Sequence, residues 1–141
     1  MTLNMEQDHK RWGLPVYNVV HAIRVANDGM VYVAYRENRR LQMFTHDGRF
    51  LKQLVMTNMS FARNLALSPD RGQRHLCVGG GKGIVVLDRK TLEVIGMIQV
   101  PGQLGPGHHI ATDSKGNLYI AQTAAGLQKL VFKGMGAPLS R

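Results

Sequence analysis

Residues 21–55 read HAIRVANDGMVYVAYRENRRLQMFTHDGRFLKQLV, and the spacing of their apolar residues decides the fold. Four short apolar runs, AIRVA, MVYVAY, RLQMFT and RFLKQLV, are separated by polar breaks. In VYVAY and LQMF the apolar side chains fall on one face at every second position, the period of a strand rather than of a helix. The breaks carry Asp28-Gly29 and His46-Asp47-Gly48, residue types that tolerate positive φ and close tight hairpins. No helical stretch of useful length interrupts the pattern. Such a segment is an antiparallel unit of four strands.

The unit recurs. Residues 63–100, RNLALSPDRGQRHLCVGGGKGIVVLDRKTLEVIGMIQV, repeat the order of apolar run, Asp/Gly turn, β-rich run and further runs. Residues 108–134, HHIATDSKGNLYIAQTAAGLQKLVFKG, repeat it again but stop before a fourth run. The units begin 42 and 45 residues apart, at His21, Arg63 and His108. Four short strands at a period of about 40–45 residues mark the blades of a β-propeller. The expected organisation is a tail or interblade segment over residues 1–17, followed by three blades over 18–141, at about 18–60, 61–104 and 105–135. In a blade the first strand lies nearest the axis, with its ends opening onto the central channel. His21, Arg63 and His108 occupy equivalent places immediately before that strand, so the repeat predicts that they meet in one axial region.

Composition narrows the class. At 141 residues the chain is one domain by length, and 44% hydrophobic residues exclude a disordered polymer. No run approaches the ~18–20 apolar residues of a membrane-crossing helix. The N-terminus MTLNMEQDHKRWG has no apolar core of a secretory signal, so a complete chain would stay in the cytoplasm. The single cysteine, Cys77, rules out an internal disulfide and a cysteine-based metal knuckle, and reads as a small buried hydrophobe. Eighteen basic against nine acidic residues give a net charge of +9, which favours anionic partners. The basic residues are scattered, with no block of five, so nucleic-acid binding is a weaker expectation than a basic surface.

The segments VHAIRVANDGMVYVAYRENRRLQMF, LALSPDRGQRHLCVGGG and HHIATDSKGNLYIAQTAAGLQKL resemble NHL repeats. The likeness spans roughly residues 18–133 and points to the six-bladed group that includes the peptidyl-hydroxyglycine amidating lyases. Members of that group act as lyases, lactonase-like hydrolases, RNA binders and interaction scaffolds. The resemblance implies a transition metal, Zn²⁺ first and Cu²⁺, Fe²⁺ or Ni²⁺ as others suited to nitrogen ligands, held by His21 and His108. Arg63 stands where a third histidine belongs, and the resemblance assigns it to an anionic group of a small substrate. No catalytic tyrosine maps onto the motif, Tyr17 being merely close in sequence.

Six blades are usual and three are present, so the chain is expected to be half of a ring. Either it belongs to a longer chain, or two copies form a homodimer that completes the propeller. The functional expectation is therefore a metal-dependent hydrolase or lyase, with no membrane partner. Its rival is a non-catalytic module binding RNA or an acidic protein. His109 is expected on the opposite side of its strand from His108, within the blade packing, the alternative being a partner that orients its neighbour. Asp28, Asp70 and Asp113 read as turn formers, and Gly79-Gly80-Gly81 as a hairpin turn rather than a phosphate loop.

Overall fold

The computed structural model describes residues 19–57, 61–81, 83–99, 107–123 and 125–134. Tyr17, His9 and the Lys10-Arg11-Trp12 stretch, noted from sequence, lie outside the described residues. Eleven strands and no helix are present among those residues. The first sheet orders β1 (Val20–Val25), β2 (Val31–Tyr35), β3 (Arg40–Phe44) and β4 (Phe50–Val55). The second orders β5 (Asn64–Leu67), β6 (His75–Gly80), β7 (Gly83–Asp88) and β8 (Val94–Gln99). The third has three strands, β9 (His109–Thr112), β10 (Leu118–Gln122) and β11 (Gly126–Leu130). Every pairing is antiparallel and joins strands consecutive in the chain. The outer run missing from the third sequence unit is thus also absent from the third sheet among the described residues.

Turn chemistry sets the hairpins. Gly29 and Gly116 end the first turn of their units at φ 82° and 84°, a region closed to most side chains. Their N–H groups donate to Ala26 and Asp113 carbonyls at 2.9 and 3.0 Å. Asp113 accepts from the backbone of Lys115 and Asn117, each at 2.9 Å, so it does form the turn. His75 opens β6.

Strand alternation then builds two cores from one middle sheet. Leu76 and Val78 of β6 point to the first sheet, where they join Leu65, Val85 and Leu87 against Tyr32, Ala34, Leu41 and Met43. Cys77, between them, points to the third sheet with Ala66 and Ile84, against Ile110, Leu118 and Ile120. Burying each large aliphatic contributes roughly 1.5–3 kcal/mol. The innermost strands β1, β5 and β9 lie side by side. Cys77 is buried, and desolvation pushes its thiol up to about 11, which leaves it unreactive.

Two faces look away from this packing. On the first sheet, Val20, Ile23 and Val25 pair with Tyr35, Val33 and Val31, and Phe50 and Val55 with Phe44 and Arg40, so all share the face opposite the second sheet. Its middle, with Val31, Val33, Tyr35, Gln42 and Phe44, is buried, whereas Val20, Ile23, Val25, Phe50 and Val55 form an exposed apolar rim. On the third sheet the outward face carries His109, Ala111, Tyr119, Ala121, Leu127 and Lys129. Leu127 is 71% exposed there.

A buried guanidinium clamps the first two sheets at their far end. Arg89, in the turn after β7, is 2% exposed and reaches 61 residues back to Asp28, donating to its two oxygens at 2.8 and 2.7 Å. It also donates to the carbonyls of Gln73 at 2.6 Å and Gly72 at 3.1 Å, and to the Tyr32 hydroxyl at 3.1 Å. A fork of fixed donors suits this crowded set of acceptors better than a lysine. The Arg89 hydrogen bond holds the Asp28 carboxyl below its ordinary value of 3.8. A lowered carboxylate pKa contributes stability above the ordinary value and loses it as pH falls through the lowered one. Asp28→Asn should therefore cost about 1–2 kcal/mol at neutral pH. In melting curves the gap to wild type should be constant above about pH 5 and shrink below about pH 4.

Candidate functional site

The axial end of the three inner strands is built around a defect in β1. Val20 pairs with Tyr35 and Ala22 with Ala34, so His21 is the extra residue of a β-bulge. A bulge re-aims the side chain it carries. The His21 ring turns along the axial edge, and its Nδ1 lies 2.5 Å from the carbonyl oxygen of Arg63 on the second sheet. A carbonyl oxygen only accepts, so in this contact Nδ1 carries a proton and Nε2 is the ring nitrogen that the contact leaves unengaged.

Arg63 is half-buried, and its N–H donates to the Gly79 carbonyl at 2.9 Å. Its guanidinium lies 5.0 Å from the Phe61 ring centre, within cation–π range. Among the described residues its buried Nε has no hydrogen-bond partner. Next to it, Asn64 is 1% exposed and donates across the second seam to the Gly107 carbonyl at 3.2 Å. A Cβ at position 79 would stand 1.9 Å from the Asn64 amide oxygen, so only glycine leaves room for this bridge. Gly107 immediately precedes His108, whose N–H donates to the Ala121 carbonyl at 2.8 Å.

These contacts bring the predicted residues of all three units together. The His21 and His108 ring centres are 5.0 Å apart at an interplanar angle of 63°. The pKa of His108 is lowered, first by loss of solvent and then by the positive neighbours His109, His21, Arg63 and Arg36. Both effects favour the neutral imidazole.

The placement of His109 corrects the sequence reading. Alternation does put it on the face away from Ile110, but the side chain is exposed there rather than packed into the blade. His108 lies in a bend before β9 rather than in the strand, so the two rings are not forced apart. The His109 ring centre is 4.7 Å from that of His108 and 6.4 Å from that of His21. Sequence reasoning also missed Arg36, which sits in the β2–β3 turn, is ion-paired with Glu37 and adds positive charge beside His108. Among the described residues, no group of three His, Cys, Asp or Glu side chains could hold a metal ion.

No family model and no curated protein matches the chain. Solved structures do. A dihydro-heme d1 dehydrogenase, NirN in complex with DHE, superposes with a TM-score of 0.65 at 21% identity, covering 89% of this chain and 28% of that one. U3-55K superposes at 0.63 and 16% identity, over 84% of this chain and 41% of that one. Hydrazine synthase of Kuenenia stuttgartiensis superposes at 0.63 and 17% identity, over 84% and 32%. All three are β-propeller proteins. The three sheets are propeller blades. At these identities the likeness is one of fold, and it extends to enzymes and to a non-catalytic protein alike. The chain spans well under half the length of each of these structures.

The Asn64 bridge makes a direct prediction. Gly79→Ala should push the amide off Gly107 and cost about 1–3 kcal/mol by overpacking. Urea unfolding measures the loss. A Gly79→Ala chain as stable as wild type would show that the bridge does not hold the second seam.

Proposed function

We propose that the blades belong to an NHL-like propeller enzyme of the hydrolase or lyase type, in which His21 and His108 hold a transition metal, Zn²⁺ first. The observation that carries this reading is the meeting of two half-buried imidazoles, from the first and third blades, with the His21 proton tied to the Arg63 carbonyl. That tie leaves Nε2 as the ligating atom, and a neutral His108 offers a second nitrogen. Such a donor set suits Zn²⁺ and the later first-row metals. A bound ion would supply Lewis-acid polarisation or an activated water at neutral pH. The residues around it have separate tasks. Arg63, with its buried unpartnered Nε, binds and orients an anionic group of a small substrate. Phe61 holds that guanidinium from behind, and Arg36 adds positive charge to the approach.

Elemental analysis of the untagged protein tests the reading. Wild type is expected to hold metal in stoichiometric amount, and His21→Ala and His108→Ala to lose it. A wild-type chain that carries none and cannot be loaded overturns it. The rival is a basic binding module, supported by the net charge of +9. Affinity for RNA that falls steeply with salt and is indifferent to His21→Ala would favour that module.

We further propose that a second copy completes the ring, as the exposed rim of Val20, Ile23 and Val25 on the first blade and Leu127 on the third support. Light scattering should then give twice the chain mass, and a well-behaved monomer would exclude the two-copy ring.

A further inference from the structure

We propose that residues 12–17 of this chain, Trp12-Gly13-Leu14-Pro15-Val16-Tyr17, form a strap over the outward face of the first blade, with Trp12 against Phe44 and Phe50. This placement is independent of the metal reading.

The burial of that face carries the argument. Val31, Val33, Tyr35, Gln42 and Phe44 are between 0 and 7% exposed. Four of them, all but Gln42, form a cluster of their own, separate from the two cores between the blades. Side chains stand roughly perpendicular to a sheet, so a sheet cannot cover its own face and needs another layer above it. Loss of solvent also raises the pKa of the Tyr35 hydroxyl, with Arg40 opposing the shift. These burials arise within one chain, so the cover belongs to that chain. The cover is narrow. Val20, Ile23 and Val25 on β1 and Val55 on β4 are 45–60% exposed, so whatever lies over β2 and β3 leaves both margins bare. A blade of a second copy would cover the margins as well, whereas neighbouring strands about 5 Å apart suit a single extended chain above them.

Reach and chemistry point to the N-terminal segment. The Arg36 N–H donates to the Val19 carbonyl at 3.0 Å, and Val20 pairs with Tyr35, so the segment leads onto the blade at the β2–β3 turn. From Tyr35 the covered strip runs along β2 to Val31, about 14 Å away at the rise of a strand. Six extended residues span about 20 Å, enough to follow it. Five of these six are large and apolar or aromatic. Of the other stretches outside the described residues, 100–106 and 135–141 follow strands of the second and third sheets, and 58–60 has three residues. At the far end of the strip the Phe44 and Phe50 rings meet edge-on, 5.8 Å apart, a pair that a third aromatic ring extends. Two polar atoms favour a peptide as the cover. Arg40 Nε and Gln42 Oε1 are buried on this face without a hydrogen-bond partner among the described residues. They are a donor and an acceptor two residues apart on β3, and a backbone supplies a carbonyl and an N–H to match them.

Trp12 is the single tryptophan, so its emission reports on the strap alone. The test compares acrylamide quenching of the untagged full chain, folded and in urea, over a series of dilutions. Wild type is set beside Phe50→Ala, Phe50→Leu and Leu127→Ala, all at partly exposed positions that the fold tolerates. Folded wild type should be quenched about threefold less than in urea, at every dilution, as befits a buried indole. Both Phe50 variants should raise the quenching with an unchanged far-UV circular dichroism spectrum, and Leu127→Ala should leave it alone. Quenching of the folded chain equal to that in urea overturns the strap. Protection that is lost on dilution, or through Leu127→Ala, makes a second copy the occupant and overturns it too. Protection indifferent to both Phe50 variants places Trp12 elsewhere. Metal content and chain mass do not enter, so failure here leaves the functional reading to its own test.

Discussion

The second seam depends on one buried amide. Asn64 has no solvent to fall back on, and its Nδ2 finds the Gly107 carbonyl of the third blade at 3.2 Å. A buried carbonyl left unpaired costs about 1–3 kcal/mol, so this contact selects how the third blade sits against the second. The selection has a precondition in β6, where Gly79 supplies the space that the amide occupies. It has an outcome one residue further on, since Gly107 leads directly into His108. Position in the site is therefore inherited from a packing decision made between blades.

The same economy appears in the middle sheet. Its three inner strands, β5, β6 and β7, have no solvent face, because alternate residues serve two different cores. Leu76 and Val78 could be exchanged with Cys77 only by shifting the strand register, which would bury every side chain against the wrong neighbour. The polar ties follow the same division. Arg89 and His21 join the first and second blades, while Asn64 and Thr112, which donates to the Leu67 carbonyl at 2.6 Å, join the second and third.

The blades were legible from sequence because each physical requirement left a local trace. Period-two apolar runs, Asp/Gly turns and spacings of 42 and 45 residues all survive without knowledge of tertiary contacts. The convergence of His21, Arg63 and His108 was legible for the same reason, since equivalent places in a repeat must share an axis. Arg89 was not, because the turn KTLE around it looks like any surface turn and its partner Asp28 lies 61 residues away. Asp28 was read as a turn former, and its second task leaves no mark in its own neighbourhood. His109 was misplaced because alternation was carried back one residue too far. The bend at His108 ends the strand there, and the face that His109 occupies is exposed. The bulge at His21 has no sequence signature at all, yet it decides where that ring points.

The two seams differ in how they are fastened, and the site straddles both. Between the first two blades the ties sit at opposite ends, with the His21–Arg63 bond at the axis and the Arg89 fork at the far turns, so that pair behaves as one block. The second seam is tied by hydrogen bonds from Asn64 and Thr112, with no ion pair across it among the described residues. His21 and Arg63 ride on the block, and His108 and His109 ride on the blade beyond it. The opening between the imidazoles is thus a caliper whose fixed jaw is the first two blades. Whatever spreads or tightens the third blade sets the width of what the jaws can hold.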